Sequence, residues 1–256
     1  MTENSLAADF DPGEPPAGAD DHAFAGWAAE TAGRLLLGVR RLRLAPAALK
    51  DAGDQASHEL LMRLLAEHRP GDAVLSEEGK DDKARLQADR VWIVDPVDGT
   101  REFSEVDRDD WAVHVALWEM GSLVAGAVAQ PALGQFFGGQ TFDTGHPLVV
   151  PPFSGGAPRI VASRTRPPAF VHALVEHLAG ELVPMGSAGA KVVSVARDVS
   201  DAYVHAGGQY EWDSAAPVAV ARAAGLHTSR VDGSPLVYNQ DDVLLPDLVV
   251  CKPELA

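Results

Sequence analysis

Two carboxylates, Asp95 and Asp98, stand three residues apart in the hexapeptide DPVDGT, directly behind the apolar run Val91-Trp92-Ile93-Val94. A strand that ends in a charged tight turn can bring both acids to one point. Gly99 admits a backbone geometry that a side chain would forbid. The N–H groups of Gly99 and Thr100 are then free to face an anion, as in other phosphate-cradling turns. Such an arrangement suits a metal-assisted phosphate site. The same letters also spell an ordinary turn, with Pro at the second position and Asp and Gly around it. The hexapeptide alone does not separate these readings.

Further acids stand where elements are expected to start or stop. Asp54 lies just before an expected helix, Glu77 and Glu78 follow a short strand in SEEG, and Asp213 opens a helix in EWDSAAP. Singly, Asp54 and Asp213 read as N-caps and the two glutamates as solvated loop acids. Jointly they meet one chemical need. Mg²⁺ takes oxygen ligands and is held by few carboxylates, waters and substrate phosphate. Two such ions roughly 3.5–4 Å apart can share a carboxylate and clamp the attacking and leaving oxygens.

Rival chemistries fit less well. A haloacid-dehalogenase-type phosphatase carries D-x-D-G-T after its strand, whereas this chain has D-x-x-D-G-T. One extra residue turns the second carboxylate in another direction. The chain has no G-x-x-x-x-G-K-[ST] loop, no G-x-S-x-G elbow and no H-E-x-x-H. His172 and His177 read as surface residues on opposite sides of one helix.

The elements that must position these residues are legible as patterns. Residues 1–20 are rich in Pro, Gly, Ala and acids without period and read as a mobile tail. Phe24, Ala28, Thr31, Leu35, Val39 and Leu42 mark an amphipathic helix capped by Asp20 or Asp21. A second helix is expected near Gln55 to His68. Strands are expected at Ala73–Leu75, at Val91–Val94, and at Trp111–Trp118 and Leu123–Gln130 around a turn at Met120-Gly121-Ser122. The apolar hairpin 111–130 reads as core or as an interface, and Phe136–Gly139 as another short strand.

The Pro- and Gly-rich stretch 147–158 reads as a boundary between an N-terminal half, 21–147, and a C-terminal half, 148–256. Beyond it, strands (Ile160–Ala162, Leu182–Val183, Ala202–His205) alternate with helices (Pro168–Ala179, Gly189–Val199, Ser214–Ala224). Leu248–Val250 closes the chain as a strand. Such alternation implies an α/β second half.

Bulk properties exclude several roles. The 256 residues carry a formal charge of −16, from 37 acidic and 21 basic side chains. A nucleic-acid polymer binder is usually basic. An acidic surface repels small phosphates too, unless bound cations invert the local field. One cysteine, Cys251, leaves no internal disulfide and no Cys-rich metal site. No signal-peptide pattern opens the chain, and no apolar run nears the roughly 18 residues that span a bilayer. The expectation is a cytoplasmic protein without a membrane partner.

SEEG, DPVDGT and EWDSAA, in this order, resemble the lithium-sensitive, Mg²⁺-dependent phosphomonoesterase superfamily of inositol monophosphatase, fructose-1,6-bisphosphatase and the 3'-phosphoadenosine 5'-phosphate phosphatases. The resemblance covers about residues 20 to 256. It implies a layered α/β/α/β/α sandwich of the sugar-phosphatase type, of the α/β (α+β) class, and commonly a homodimer. It implies that Glu77, Asp95 and the carbonyl of Val97 hold one metal, and Asp95, Asp98 and Asp213 a second. A third, weaker ion is implied near Glu77. It further implies that the amides of Gly99 and Thr100 bind phosphate. Asp54 and Thr100, as a hydrogen-bonded pair assisted by Glu77, would take the proton of the attacking water. Relatives usually show V-T-x-x-D around Asp54. Here LKDAGDQ lacks the threonine, and Lys50 and Asp51 occupy part of that loop.

The leaving group is expected to meet the second half. The family's G-S-x-x-x-K pattern matches Gly186, Ser187 and Lys191, where Ser187 is also an expected helix cap. Arg164 and Arg166 are candidates for a second phosphate, with surface solubility as the plain alternative. ASRTR at 162–166 and EWD at 211–213, Glu211 included, look like the bacterial 3'-phosphoadenosine 5'-phosphate phosphatases. Inositol-preferring members tend to place an acid where Ala206 stands. The implied activity is hydrolysis of 3'-phosphoadenosine 5'-phosphate, with 3'-phosphoadenylyl sulfate as a related substrate, in sulfate assimilation. Inositol 1-phosphate and fructose 1,6-bisphosphate are alternatives with the same mechanism. A non-catalytic, metal-stabilised regulatory protein is an alternative of another class.

Overall fold

The computed structural model describes residues 6–138, the backbone of 141 and 142, and 149–256. The first strands form a six-stranded sheet of β1 (Ala73–Ser76), β2 (Arg90–Asp98), β3 (Ala112–Glu119), β4 (Ser122–Gln130), β5 (Gln135–Gly138) and β6 (Thr141–Phe142) in that spatial order. β1 and β2 run parallel and the later neighbours antiparallel. The second sheet contains β7 (Arg159–Ser163), β8 (Glu181–Met185), β9 (Ala202–Tyr210), β10 (His227–Ser229) and β11 (Leu244–Cys251), ordered β10-β11-β9-β7-β8. The expected boundary begins at 147 and 148, which lie outside the described residues, as does the end of the strand expected at Phe136–Gly139.

Helices complete the layers. α1 (Asp21–Arg40) and α2 (Pro46–His68) cover one face of the first sheet, against β2, β3 and β4. α5 (Ala188–Ala196) and α6 (Glu211–Ala223) lie between the sheets, touching β3 and β4 on one side and β9 and β11 on the other. α4 (Ala169–His177) packs on β8, with His172 and His177 exposed. The order of layers is therefore α/β/α/β/α.

The sequence explains why β2 reads as an unbroken apolar run. Trp92 and Val94 enter the core under α1 and α2, whereas Val91 and Ile93 enter the core between the sheets. A strand covered on both faces has no polar side to alternate with. The hairpin residues Trp111, Val113, Val115 and Leu117 belong to the first core, and Ala112 and Ala116 to the second.

Three expectations change. The second helix starts at Pro46, not near Gln55, so Asp54 sits inside it and is no N-cap. Pro at the first helical position lacks only an N–H that has no intrahelical partner anyway. Gly53 is tolerated because the helix lies close to Phe103, whose ring a Cβ would meet at 2.4 Å. The last helix starts at Glu211, which places Asp213 at its third position. Residues 6–12 of the expected tail carry contacts: Ala7 is buried, and Arg63 donates to the carbonyls of Ala7 and Phe10 at 3.1 Å each.

Candidate metal-phosphate site

β2 delivers Asp95 and Asp98 to the end of the first sheet, where Gly99 turns the chain with φ +83° into the short helix α3 (Thr100–Ser104). A positive φ is cheap only without a Cβ. Because α3 starts there, its first N–H groups have no intrahelical acceptor, and Gly99, Thr100 and Arg101 line the cleft. Asp213 arrives in the first turn of α6. Carboxylate oxygens of Asp95, Asp98 and Asp213 lie within 4.8 Å of one another. Glu77, just after β1, lines the same cleft of about 270 Å³, with Val97, Gly99 and Thr100.

The electrostatics of this cluster follow from its crowding. Burial, and then the neighbouring charges of Glu77, Asp98 and Asp213, hold the Asp95 carboxyl well above the usual range. Burial also raises Glu77, although its hydrogen bond with Asp95 works the other way. Asp213 is pushed up to about 7 by burial and by Asp98, despite the bond it accepts from Tyr210 N at 2.6 Å. Asp54 rises to about 7 through burial and the acids Glu78, Glu77 and Asp51. Asp98 is the exception. Burial pushes it up, but His114, Lys191 and Ser187 bring it down to about 2. So the cluster holds more negative charge than its protein surroundings neutralise, and all its donors are oxygens. That is the chemistry of a divalent-cation site, and the residues fit it.

The walls come from the end of β2 and from the start of α5. Asp98 Oδ2 accepts hydrogen bonds from Ser187 Oγ at 2.5 Å and Gly189 N at 2.6 Å. Ser187 caps α5, accepting from Ala190 N at 2.9 Å, and holds φ at +45°. Strained non-glycine backbone of this kind persists where the surroundings enforce it. Lys191 is buried, and its ammonium donates to the carbonyls of Ser187 at 2.7 Å and Gly186 at 3.1 Å. It therefore braces the Gly186–Ser187 loop, and it lines the cleft beside it.

Arg164 and Arg166, the candidates for a second phosphate, both line the cleft. Arg164 is paired with Glu102 at 2.7 Å and Glu105 at 3.3 Å. Arg166 lines the cleft and is exposed, without a carboxylate partner among the described ion pairs. Glu211 requires a correction: it is buried away from the cleft, and its two oxygens accept from Asn239 N at 2.6 Å and Gln240 N at 2.7 Å. The Thr100 hydroxyl donates to the Val97 carbonyl at 3.2 Å rather than to Asp54.

Several residues escaped the sequence reading. His114 is fully buried, with Nε2 3.1 Å from Asp98 Oδ2 and Nδ1 3.2 Å from the carbonyl of Trp212, the neighbour of Asp213. It thus touches both sides of the carboxylate cluster. Asp110 accepts from Gly186 N at 2.6 Å and pairs with Arg108. Tyr203, His205 and Gln209 also line the cleft. The register pairing Asp95 with His114 across β2 and β3 is a signal, but reading it requires the strand alignment.

Comparison with known proteins places this geometry in context. Residues 46–255 match the Inositol monophosphatase family. A 3'-phosphoadenosine 5'-phosphate phosphatase of Mycobacterium tuberculosis is 53% identical over 233 residues, covering 88% of this chain and 86% of the relative. The 3'(2'),5'-bisphosphate nucleotidase CysQ of Escherichia coli K12 is 30% identical over 200 residues, covering 76% and 81%. The crystal structure of CysQ from Bacteroides thetaiotaomicron superposes with a TM-score of 0.78 at 28% identity, covering 91% of this chain and 97% of that one. The matched span contains the whole carboxylate cluster and the elements that present it, and the chain belongs to the inositol monophosphatase family.

Proposed function

We propose that this chain is a phosphoric monoester hydrolase that removes the 3'-phosphate of 3'-phosphoadenosine 5'-phosphate, leaving AMP. The observation that carries the reading is the convergence of Asp95, Asp98 and Asp213 beside the turn at Gly99 and Thr100, in a cleft that also exposes Arg166. The names of the relatives supply the substrate class. We further propose Mg²⁺ as the metal, with Li⁺ as an inhibitor, and clearance of a by-product of sulfate assimilation as the role.

The residues divide the work. Glu77, Asp95 and the Val97 carbonyl would hold one ion, and Asp95, Asp98 and Asp213 a second. When bound, the cations supply an activated water and offset charge on the phosphate oxygens. The amides of Gly99 and Thr100 orient the phosphate by donating to its oxygens. Asp54, raised to about 7 by burial and its acidic neighbours, is matched to accept the proton of the attacking water near neutral pH. Water oxygen bonds to phosphorus as Asp54 takes its proton, the bond from phosphorus to the ribose 3' oxygen breaks, and that oxygen takes a proton from a second water of the cleft. Ser187, Gly189 and His114 keep Asp98 ionised and aimed at the cluster.

Recognition of the second phosphate falls to Arg166, because Arg164 already spends its charge on Glu102 and Glu105. His205 and Gln209 line the cleft near it and offer adjoining polar side chains. The test compares 3'-phosphoadenosine 5'-phosphate with adenosine 3'-phosphate, which lacks the second phosphate. Arg166→Ala should raise KM for the bisphosphate about tenfold or more, as expected for a lost charge-assisted contact, and leave adenosine 3'-phosphate nearly unchanged. Equal loss on both substrates would contradict this assignment of Arg166.

A further inference from the structure

Asp213 joins the cluster only if α6 is held in register with β2, because the two come from different halves of the chain. The structure contains a buried polar chain that makes this connection. Arg85 lies in the 3-10 turn Lys83–Gln87, just before β2, and is 1% exposed. Its guanidinium grips Asp81 through two hydrogen bonds, at 2.7 and 3.1 Å. The same group crosses to the C-terminal half, donating to Asn239 Oδ1 at 2.6 Å and the Gln240 carbonyl at 2.9 Å. Asn239 returns a bond from Nδ2 to the Arg85 carbonyl at 3.3 Å.

The chain then reaches α6. The N–H groups of Asn239 and Gln240 both end on the Glu211 carboxylate, two residues before Asp213. Glu211 N donates to the Val243 carbonyl at 2.9 Å, and Ser214 Oγ lies 3.1 Å from Tyr238 Oη. So the first turn of α6 is tied on both sides of Asp213 to the segment 238–243, and that segment is tied to Arg85. Asn239 holds φ at +59°, a left-handed conformation that costs energy for a residue with a side chain. None of this contacts the cleft: Arg85, Asn239 and Glu211 are absent from its lining.

We infer that Arg85, Asn239 and Glu211 form a strut that positions Asp213 and thereby sets the affinity of the metal site it shares with Asp95 and Asp98. These are positioning residues, not catalytic ones, and the inference rests on the reading of Asp213 as a metal ligand. A carboxylate cluster with excess negative charge pushes its own members apart, so a free α6 terminus would let Asp213 retreat. The strut opposes that motion before any cation arrives. Partners that orient metal ligands from behind typically change affinity about 10- to 100-fold when removed.

The primary variant is Asn239→Gly. It suits the left-handed backbone, keeps the main-chain bonds to Glu211, and removes only the side-chain link to Arg85. Glu211→Gln is the second variant, because one of its two acceptors becomes a donor facing an N–H. Arg159→Ala serves as the control: it breaks a separate ion network with Asp198 and Asp201. Metal uptake is read by calorimetric titration with Mg²⁺, and by the Mg²⁺ concentration at half-maximal phosphate release.

Asn239→Gly and Glu211→Gln should each weaken Mg²⁺ binding about tenfold or more, with KM for the nucleotide unchanged at saturating metal. Arg159→Ala should lower Tm and leave Mg²⁺ binding alone. Wild-type affinity in both strut variants would overturn the inference. So would a shift in nucleotide KM without a shift in metal binding, or an equal loss in Arg159→Ala. Wild-type phosphate release tests the proposed function, whereas the ratio of variant to wild-type metal affinity tests the strut. Normal metal binding with no turnover would sink the first and leave the second intact.

Discussion

The Asp98 carboxylate takes Ser187 and Gly189 on Oδ2, and among the described contacts its Oδ1 carries no hydrogen bond. One oxygen is thus committed to the protein and the other is left for a cation. Asp98→Asn can keep the first set through its amide oxygen while losing the anionic ligand. The fold should survive, with Tm near the wild-type value, and kcat/KM for 3'-phosphoadenosine 5'-phosphate should fall about 10³-fold or more, given the several kcal/mol that such a charge contributes. An active, Mg²⁺-dependent Asp98→Asn protein would defeat the assignment. At this scale Asp95, Asp98 and Asp213 are legible in the sequence, because carboxylates at the ends of apolar or helical runs have few structural uses in common. His114 is not legible, because in AVHVALW it looks like one more strand residue until β2 is laid beside it. Glu211 misleads for the opposite reason: it adjoins a cleft acid in EWD, yet its partners lie 28 and 29 residues further on.

Elements show where packing overrides local pattern. Pro46 looks like an interruption in the sequence, yet at the first helical position it starts α2, which carries Asp54 into a helix interior. β2 and the paired strands of the hairpin are legible because long apolar runs ending at turn residues have one plain reading. The helix α5 is legible too, from the Ser187 cap and the run after it. Its approach to β3 is not: Gly189 sits so near His114 that a Cβ would lie 2.0 Å from Nε2. Gly189→Ala must therefore push the imidazole off Asp98 or shift α5. Crowding of this kind costs about 1–3 kcal/mol, so Tm should fall. Mg²⁺ binding should weaken with it, because His114 and the Gly189 amide both act on Asp98. Normal metal binding in a destabilised Gly189→Ala protein would show that His114 has no influence on the cluster.

Across the whole molecule, the site is a seam between two sheets held by the helices sandwiched between them. Its excess charge makes stability depend on pH when no metal is present. Asp54 and Asp213 have folded values raised to about 7, so they favour folding fully at pH below the ordinary carboxylate range. That contribution is lost as pH rises from about 4 through about 7. Asp98, lowered to about 2, acts in the other direction, and its contribution fades only as pH falls below about 4. With EDTA present, Tm should therefore decline between pH 5 and 8, and added Mg²⁺ should raise it more at pH 8 than at pH 5. A metal effect independent of pH would mean that the carboxylate cluster does not bind the ion. The layered fold was legible only through the family resemblance, since strand alternation alone implies an α/β half without saying which helices lie between the sheets.

The central claim is that this cluster hydrolyses the 3'-phosphate of a bisphosphate nucleotide. The measurement that tests it most directly is release of inorganic phosphate from 3'-phosphoadenosine 5'-phosphate, inositol 1-phosphate and fructose 1,6-bisphosphate, compared by kcat/KM with Mg²⁺ and with EDTA. The nucleotide should be preferred by at least about tenfold, the size of one good pocket contact, and all release should stop with EDTA. A preference for either sugar phosphate, or undiminished release in EDTA, would contradict the account.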